Sequence, residues 1–223
     1  MNAKLALKAA AFFLTGAAMV ALLLFLPAGT LAYPGAWRLM ALLFAPMLLM
    51  GAVLLLFAPE TLKKRLNAKE KMGGQRRIVA MSGIVFLLGF VLAGLDFRFG
   101  WTAVPGGLTA AASVVFLLSY AMYAEVMREN AWISRTVEIQ EGQQVVSTGL
   151  YGIVRHPMYL AASLMFTSMP LVMGSFVSFA VFIVYPFVLA SRIRGEEALL
   201  TRELDGYAQY TRKVRYRMIP FIW

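Results

Sequence analysis

The sequence predicts an all-α protein: a polytopic membrane helix bundle of six transmembrane helices, the last two a tight hairpin, followed by a C-terminal interfacial helix. Three observations carry this expectation. Apolar residues make up 61% of the 223 positions and charged residues only 14%, with a mean hydropathy of +0.72; a soluble domain carries about 25% charge and 45–50% apolar residues. Five uncharged runs cover residues 9–26, 39–58, 78–95, 99–124 and 157–191. The net charge of +10 sits between those runs, where basic residues orient a membrane protein and hold anionic headgroups. A soluble domain, a disordered chain and a free nucleic-acid binder all fit this pattern poorly. The chain has no cysteine and one histidine, His156, which removes disulfides, thiolate nucleophiles and iron–sulfur or His-rich metal sites.

The elements follow in order. A helix rises 1.5 Å per residue, so about 20 residues cross a ~30 Å hydrocarbon core. The first run follows Lys4 and Lys8. A cleaved signal peptide ending near Ala32 is the alternative, but the apolar run exceeds the usual ~7–15 residues of such a segment. It is expected to remain as a first transmembrane helix. The second and third runs each fit one crossing, with loops at 27–29 and 34–35. Segment 63–77, charged and broken by glycine, reads as a solvated loop touching anionic lipid. The fourth crossing starts near Pro105, a favourable first-turn residue, after a glycine-rich loop at 100–107. Gly83, Gly89 and Gly94 are expected to let helices approach closely.

The fifth run would measure roughly 50 Å as one helix, too long for one span without extreme tilt. Pro170 and Gly174 lie near its middle and no charge interrupts it. A hairpin with arms near 158–169 and 175–190 fits better, and the basic residues support it. With six crossings, 19 of the 21 Lys and Arg residues share one side, leaving only Arg38 and Arg98 opposite. The positive-inside rule assigns that side to the cytoplasm, together with both termini. Trp37, Trp101, Trp132 and Trp223 all flank runs, as an interfacial belt would.

Chemistry concentrates after Asn130. On the hairpin topology, Arg155-His156-Pro157 at one mouth and Arg192, Glu196 and Glu197 at the other become neighbours. A dense polar cluster at the lip of an apolar bundle is where a polar cofactor could meet a lipophilic substrate. Simpler readings exist for each member. Pro157 opens a helix, Arg192 and Glu196 form an ordinary i,i+4 surface pair, and Leu200, Leu204, Tyr207 and Val214 line an amphipathic interfacial helix.

The ordered pieces are Thr148-Gly149-Leu150-Tyr151, Arg155-His156-Pro157-Met158-Tyr159, the uncharged hairpin, Arg192 with Glu196-Glu197, Gly206-Tyr207 with Tyr210, and Ile219-Pro220-Phe221-Ile222. Over about the last 95 residues this set resembles the isoprenylcysteine carboxyl methyltransferase and phospholipid methyltransferase group of integral membrane enzymes. The first 125 residues match only as hydrophobic spans. The family often has proline where this chain has Leu150, which puts the local turn in question.

The resemblance implies an S-adenosylmethionine-dependent methyltransferase acting on a lipophilic or lipidated substrate from the bilayer. Its site would lie at the cytoplasmic face of a multi-pass protein in contact with membrane lipids, without nucleic acid or metal. The uncharged runs predict a four-helix bundle over 1–125 and the resemblance implies a cofactor-binding core over 126–223, the two built as one structural unit. Gln144, Val145, Tyr151, Arg155, His156, Pro157, Tyr159 and Glu196 would hold the cofactor, with Arg192 and Glu197 closest to the transfer. A sulfonium methyl is already activated, so such a site needs in-line geometry more than acid–base machinery. Glu196 suits ribose hydroxyls, and the planar fork of Arg192 suits a carboxylate or phosphate. Carboxylate O-methylation, as on an isoprenylcysteine, is favoured; lipid amine N-methylation would need a base, for which Glu197 is the candidate. A nicotinamide-dependent membrane reductase shares an R-H-P-x-Y-like element and is the alternative enzyme. A transporter would place ionisable or broken-helix sites at mid-membrane, where these runs carry no charge.

Overall fold

The structure of the chain, a computed structural model, describes residues 3–66, 73–134 and 137–223. These form α-helices and one 3-10 turn joined by loops. In chain order they are α1 (Ala3–Ala28), α2 (Pro34–Phe57), α3 (Pro59–Arg65), α4 (Gly73–Phe99), α5 (Gly106–Glu129), the 3-10 turn (Gly149–Gly152), α6 (Pro157–Met173), α7 (Phe176–Phe182), α8 (Tyr185–Glu203) and α9 (Tyr207–Lys213). Among the described residues, five stretches are long and apolar enough to cross a membrane: α1, α2, α4, α5, and α7 with α8 together; α6 is apolar but has 17 residues. Outward side chains such as Leu14, Leu22, Leu49 and Phe57 are largely exposed. Such faces are costly in water and natural in hydrocarbon, where helices satisfy their own backbone groups.

Several boundaries differ from the expected ones. Pro27 stays inside the last turn of α1, and Pro34-Gly35 opens α2 instead of forming a loop. Tyr33 is extended ahead of Pro34, as the residue before a proline prefers. The expected charged loop is partly helical, since Lys63 to Arg65 end α3 and Gln75 to Arg77 lie in α4; residues 67–72 fall outside the described ones. Pro105 is the N-cap of α5, one residue ahead of its expected place.

The hairpin forms, but its turn is set by Gly174 and not Pro170. Pro170 remains helical, while Gly174 adopts φ 87° at the C-cap of α6, a left-handed conformation that glycine takes without a Cβ clash. Ser175 then caps α7 by accepting the Ser178 N–H at 3.0 Å. The returning arm breaks near Pro186 and continues as α8 to Glu203, well past the uncharged run. Because α8 runs back beside α6, its Arg192 and Glu196 meet Tyr159 near the start of α6.

The main core joins Leu24, Leu39, Phe90, Phe116, Met169 and Phe182 from α1, α2, α4, α5, α6 and α7. Close helix approach rests on particular glycines. A Cβ on Gly94 would meet the Leu24 carbonyl at 2.6 Å, and one on Gly89 would meet the Phe182 ring at 2.3 Å. Gly83, grouped with them from sequence, has nothing within 4 Å. The tightest approach was not legible: a Cβ on Gly35 would sit 2.0 Å from the Met173 carbonyl.

The end of the bundle holding the hairpin turn is fastened by a buried carboxylate. Asp96 is 1% exposed. Its oxygens accept the Thr102 N–H at 2.7 Å, the Thr102 hydroxyl at 2.6 Å and the Ser175 hydroxyl. Tyr33 and Arg38 donate to the Met173 and Val172 carbonyls at the end of α6. These bonds fix the hairpin turn between α6 and α7 to α2 and α4.

Candidate active site

The opposite end of the bundle gathers the polar residues around one cleft. Its floor is the approach to α6. Gly149 adopts φ 47°, and a Cβ there would fall 2.0 Å from the Glu129 carboxylate. That carboxylate accepts the Leu150 N–H at 3.2 Å, a bond proline could not make. The departure at Leu150 is thus compensated by Glu129, and the 3-10 turn forms. His156 caps α6 in a non-helical conformation with Pro157 at the first helical position, which directs its ring into the cleft mouth.

Of the ten residues singled out from sequence, eight line this cleft: Gln144, Val145, Tyr151, Arg155, His156, Tyr159, Arg192 and Glu196. Pro157 and Glu197 do not line it. The two neighbouring glutamates take different positions. Glu196 faces the cleft and accepts the Tyr159 hydroxyl at 2.6 Å, while Arg192 Nε donates to that hydroxyl at 3.0 Å. The i,i+4 pair of the simpler reading is therefore joined through Tyr159 on the neighbouring helix.

Glu197 is turned inward and 8% exposed. Its Oε1 accepts from Arg155 Nε at 2.6 Å and lies 3.3 Å from His156 Nε2, while Oε2 accepts from Arg217 Nε at 2.6 Å. Arg155, itself buried, also donates to the Val214 and Arg215 carbonyls at 2.8 and 2.9 Å. The main chain repeats the pattern, with Arg155 and His156 N–H groups donating to the Tyr216 and Arg217 carbonyls. The carboxyl-terminal segment is thereby stitched across the mouth of α6. His156 stands between two carboxylates, its Nδ1 4.0 Å from Glu196 Oε1.

The remaining wall is aromatic and aliphatic. Leu204, Tyr207, Tyr210 and Val214 pack with Ile139, Val145 and Leu200; Leu200, Leu204, Tyr207 and Val214, expected on one interfacial helix, are instead divided between α8 and α9, because the helix parts after Glu203. Tyr210 donates its hydroxyl to the Tyr151 carbonyl at 2.7 Å, and Asn130 donates to the Tyr151 hydroxyl at 2.8 Å. Burial pushes the Tyr151 hydroxyl up to about 12. Tyr207 is raised further, by burial first and then by the charges of Glu197 and Glu196. Its hydroxyl is buried and has no hydrogen-bond partner among the described residues.

Sequence reasoning missed Asn130, Trp132 and Met158 on the cleft wall and Arg217 behind it. Arg217 was visible only as one more basic residue of the cytoplasmic count. Its role depends on the tail folding back onto residues 155 and 156, which no local pattern announces.

Residues 102–205 match the family model described as phospholipid methyltransferase. No curated protein matches the chain. The match starts ahead of α5, a helix earlier than the motifs did, and contains Arg155 to Tyr159, Arg192, Glu196 and Glu197. It supports a membrane methyltransferase, and the resemblance read from the motifs is to that same family.

Proposed function

We propose that this chain, a membrane methyltransferase by its phospholipid methyltransferase segment, uses S-adenosylmethionine to methylate a carboxylate on a lipophilic acceptor. The observation carrying this reading is the division of labour between Glu196 and Glu197. The donor and acceptor set of the cleft fits the cofactor. Glu196 keeps a carboxylate oxygen for ribose hydroxyls, His156 and Arg155 flank it, and Gln144 and Val145 with Tyr151 offer a polar edge and a flat wall. When bound, S-adenosylmethionine supplies an electrophilic methyl group on a sulfonium.

The protein's own contribution is orientation. Arg192, held by Tyr159, directs its planar fork toward an anionic group on the acceptor. Tyr159 couples Arg192 to Glu196, so acceptor and cofactor are registered through one hydroxyl. Residues 126–223 carry this chemistry and the first 125 supply the scaffold, with the site at the cytoplasmic face and the acceptor entering from the bilayer.

An amine acceptor must first lose a proton to a base. Glu197, the candidate base, is off the cleft wall with both oxygens engaged by cationic side chains, which favours the carboxylate acceptor. Glu196 is the remaining base for N-methylation of a lipid amine, the second reading, which the family match keeps in view. The test is transfer of a labelled methyl group from S-adenosylmethionine to an isoprenylcysteine or to phosphatidylethanolamine in vesicles. Label released as volatile methanol by alkali supports the ester; alkali-stable label on the amine headgroup replaces it with the second reading.

A further inference from the structure

We infer that Tyr207 is a purine-reading residue of the cleft, donating its hydroxyl to a ring nitrogen of the cofactor's adenine. The inference rests on the cofactor reading above and extends it to a residue that reading does not use.

A buried tyrosine hydroxyl without a partner is costly, since the group gives up its bonds to water and receives nothing in return. Buried tyrosines therefore almost always place the hydroxyl against an acceptor. Tyr33, Tyr159 and Tyr210 each do so, donating to the Met173 carbonyl, Glu196 and the Tyr151 carbonyl. Tyr207 is 4% exposed and does not, among the described residues. It is also part of the cleft lining. An unmet buried donor on a cleft wall is the arrangement expected of a group whose partner arrives with a ligand.

The surroundings select which part of the ligand that is. Tyr207 packs with Leu200, Leu204, Val145 and Tyr210, and the Tyr210 hydroxyl is already committed to Tyr151. The slot is therefore apolar on its sides with a single hydroxyl available. The charges of Glu197 and Glu196 act on Tyr207 more strongly than the opposing charge of Arg155, which makes its vicinity unfavourable for the cofactor's own carboxylate. Burial and those charges keep the hydroxyl protonated and a donor. A flat, uncharged heterocycle with acceptor nitrogens meets these conditions, and of the cofactor's parts only the purine does.

The full-length protein, wild type beside Tyr207→Phe, is titrated by calorimetry with S-adenosylhomocysteine and its 1-deaza, 3-deaza and 7-deaza purine analogues. The phenylalanine variant is expected to bind S-adenosylhomocysteine about three- to tenfold more weakly, the worth of one neutral hydrogen bond. One of the three analogues should bind both proteins equally. The ligand-free melting temperature of the variant should equal or exceed that of the wild type, because an unmet polar group has been removed. Equal affinity of both proteins for S-adenosylhomocysteine overturns the inference. So does a loss that persists with all three analogues, and so does a lowered ligand-free melting temperature, which would mean an internal partner. Absence of binding by the wild type instead overturns the cofactor reading itself, and this inference with it.

Discussion

Arg192 and Glu197 bear on the mechanism in opposite ways. If Arg192 orients an anionic acceptor through its fork, Arg192→Lys keeps S-adenosylhomocysteine affinity within about threefold but lowers methyl transfer about tenfold or more, since lysine cannot reproduce bidentate geometry. Turnover measured beside cofactor binding checks this, and wild-type turnover would remove Arg192 from the reaction. Glu197 is instead predicted to act through stability. Glu197→Gln leaves buried Arg155 facing a neutral amide and weakens the hold on Arg217. Breaking a buried charge pair costs about 3–5 kcal/mol. A large fall in melting temperature is expected; an unchanged melting curve with lost turnover would restore Glu197 as a base. Much of this neighbourhood was legible, because hairpin topology and i,i+4 spacing brought His156, Glu196 and Arg192 together on paper. The opposite orientations of Glu196 and Glu197 were not, since adjacent helical residues point about 100° apart and only packing against α6 decides which faces the cleft.

At the scale of elements, the site depends on how α2 and α4 grip the hairpin. Gly35 touches the Met173 carbonyl so closely that alanine must displace backbone. Gly35→Ala is predicted to cost about 1–3 kcal/mol, as overpacking does. Gly83→Ala, with nothing within 4 Å, should be neutral or stabilise by about 0.5–1 kcal/mol. Thermal unfolding of the two variants in the same detergent checks the contrast, and equal effects would mean the α2–α6 approach is not the constraint. Hydropathy located these helices, but their ends were set by effects hydropathy does not register. Pro34 opens α2 because its missing N–H is not needed there, and Gly174 ends α6 because it can adopt positive φ. Of the two residues that mark the break in the fifth run, Gly174 makes the turn and Pro170 stays within the last turn of α6.

For the whole molecule, the partition of 19 basic residues from Arg38 and Arg98 predicts, by the positive-inside rule, a cleft on the cytoplasmic side and a hairpin turn on the other. Phe176 and Gln209 are both exposed, and cysteines introduced there should be labelled from opposite sides of sealed vesicles. Labelling of both from one side would contradict the hairpin orientation. The carboxyl-terminal closure over α6 was beyond sequence reasoning, since it joins residues 155 and 156 to 214–217 through main-chain carbonyls that carry no sequence signature. That closure completes the cleft on which the proposed activity rests. The most direct test is calorimetric titration of the purified protein with S-adenosylhomocysteine and, separately, with NADPH, each repeated on Glu196→Ala. The account predicts one-to-one binding of S-adenosylhomocysteine, weakened about 10-fold or more by Glu196→Ala through lost charge-assisted bonds, and no heat from NADPH. Binding of NADPH in place of S-adenosylhomocysteine would contradict it.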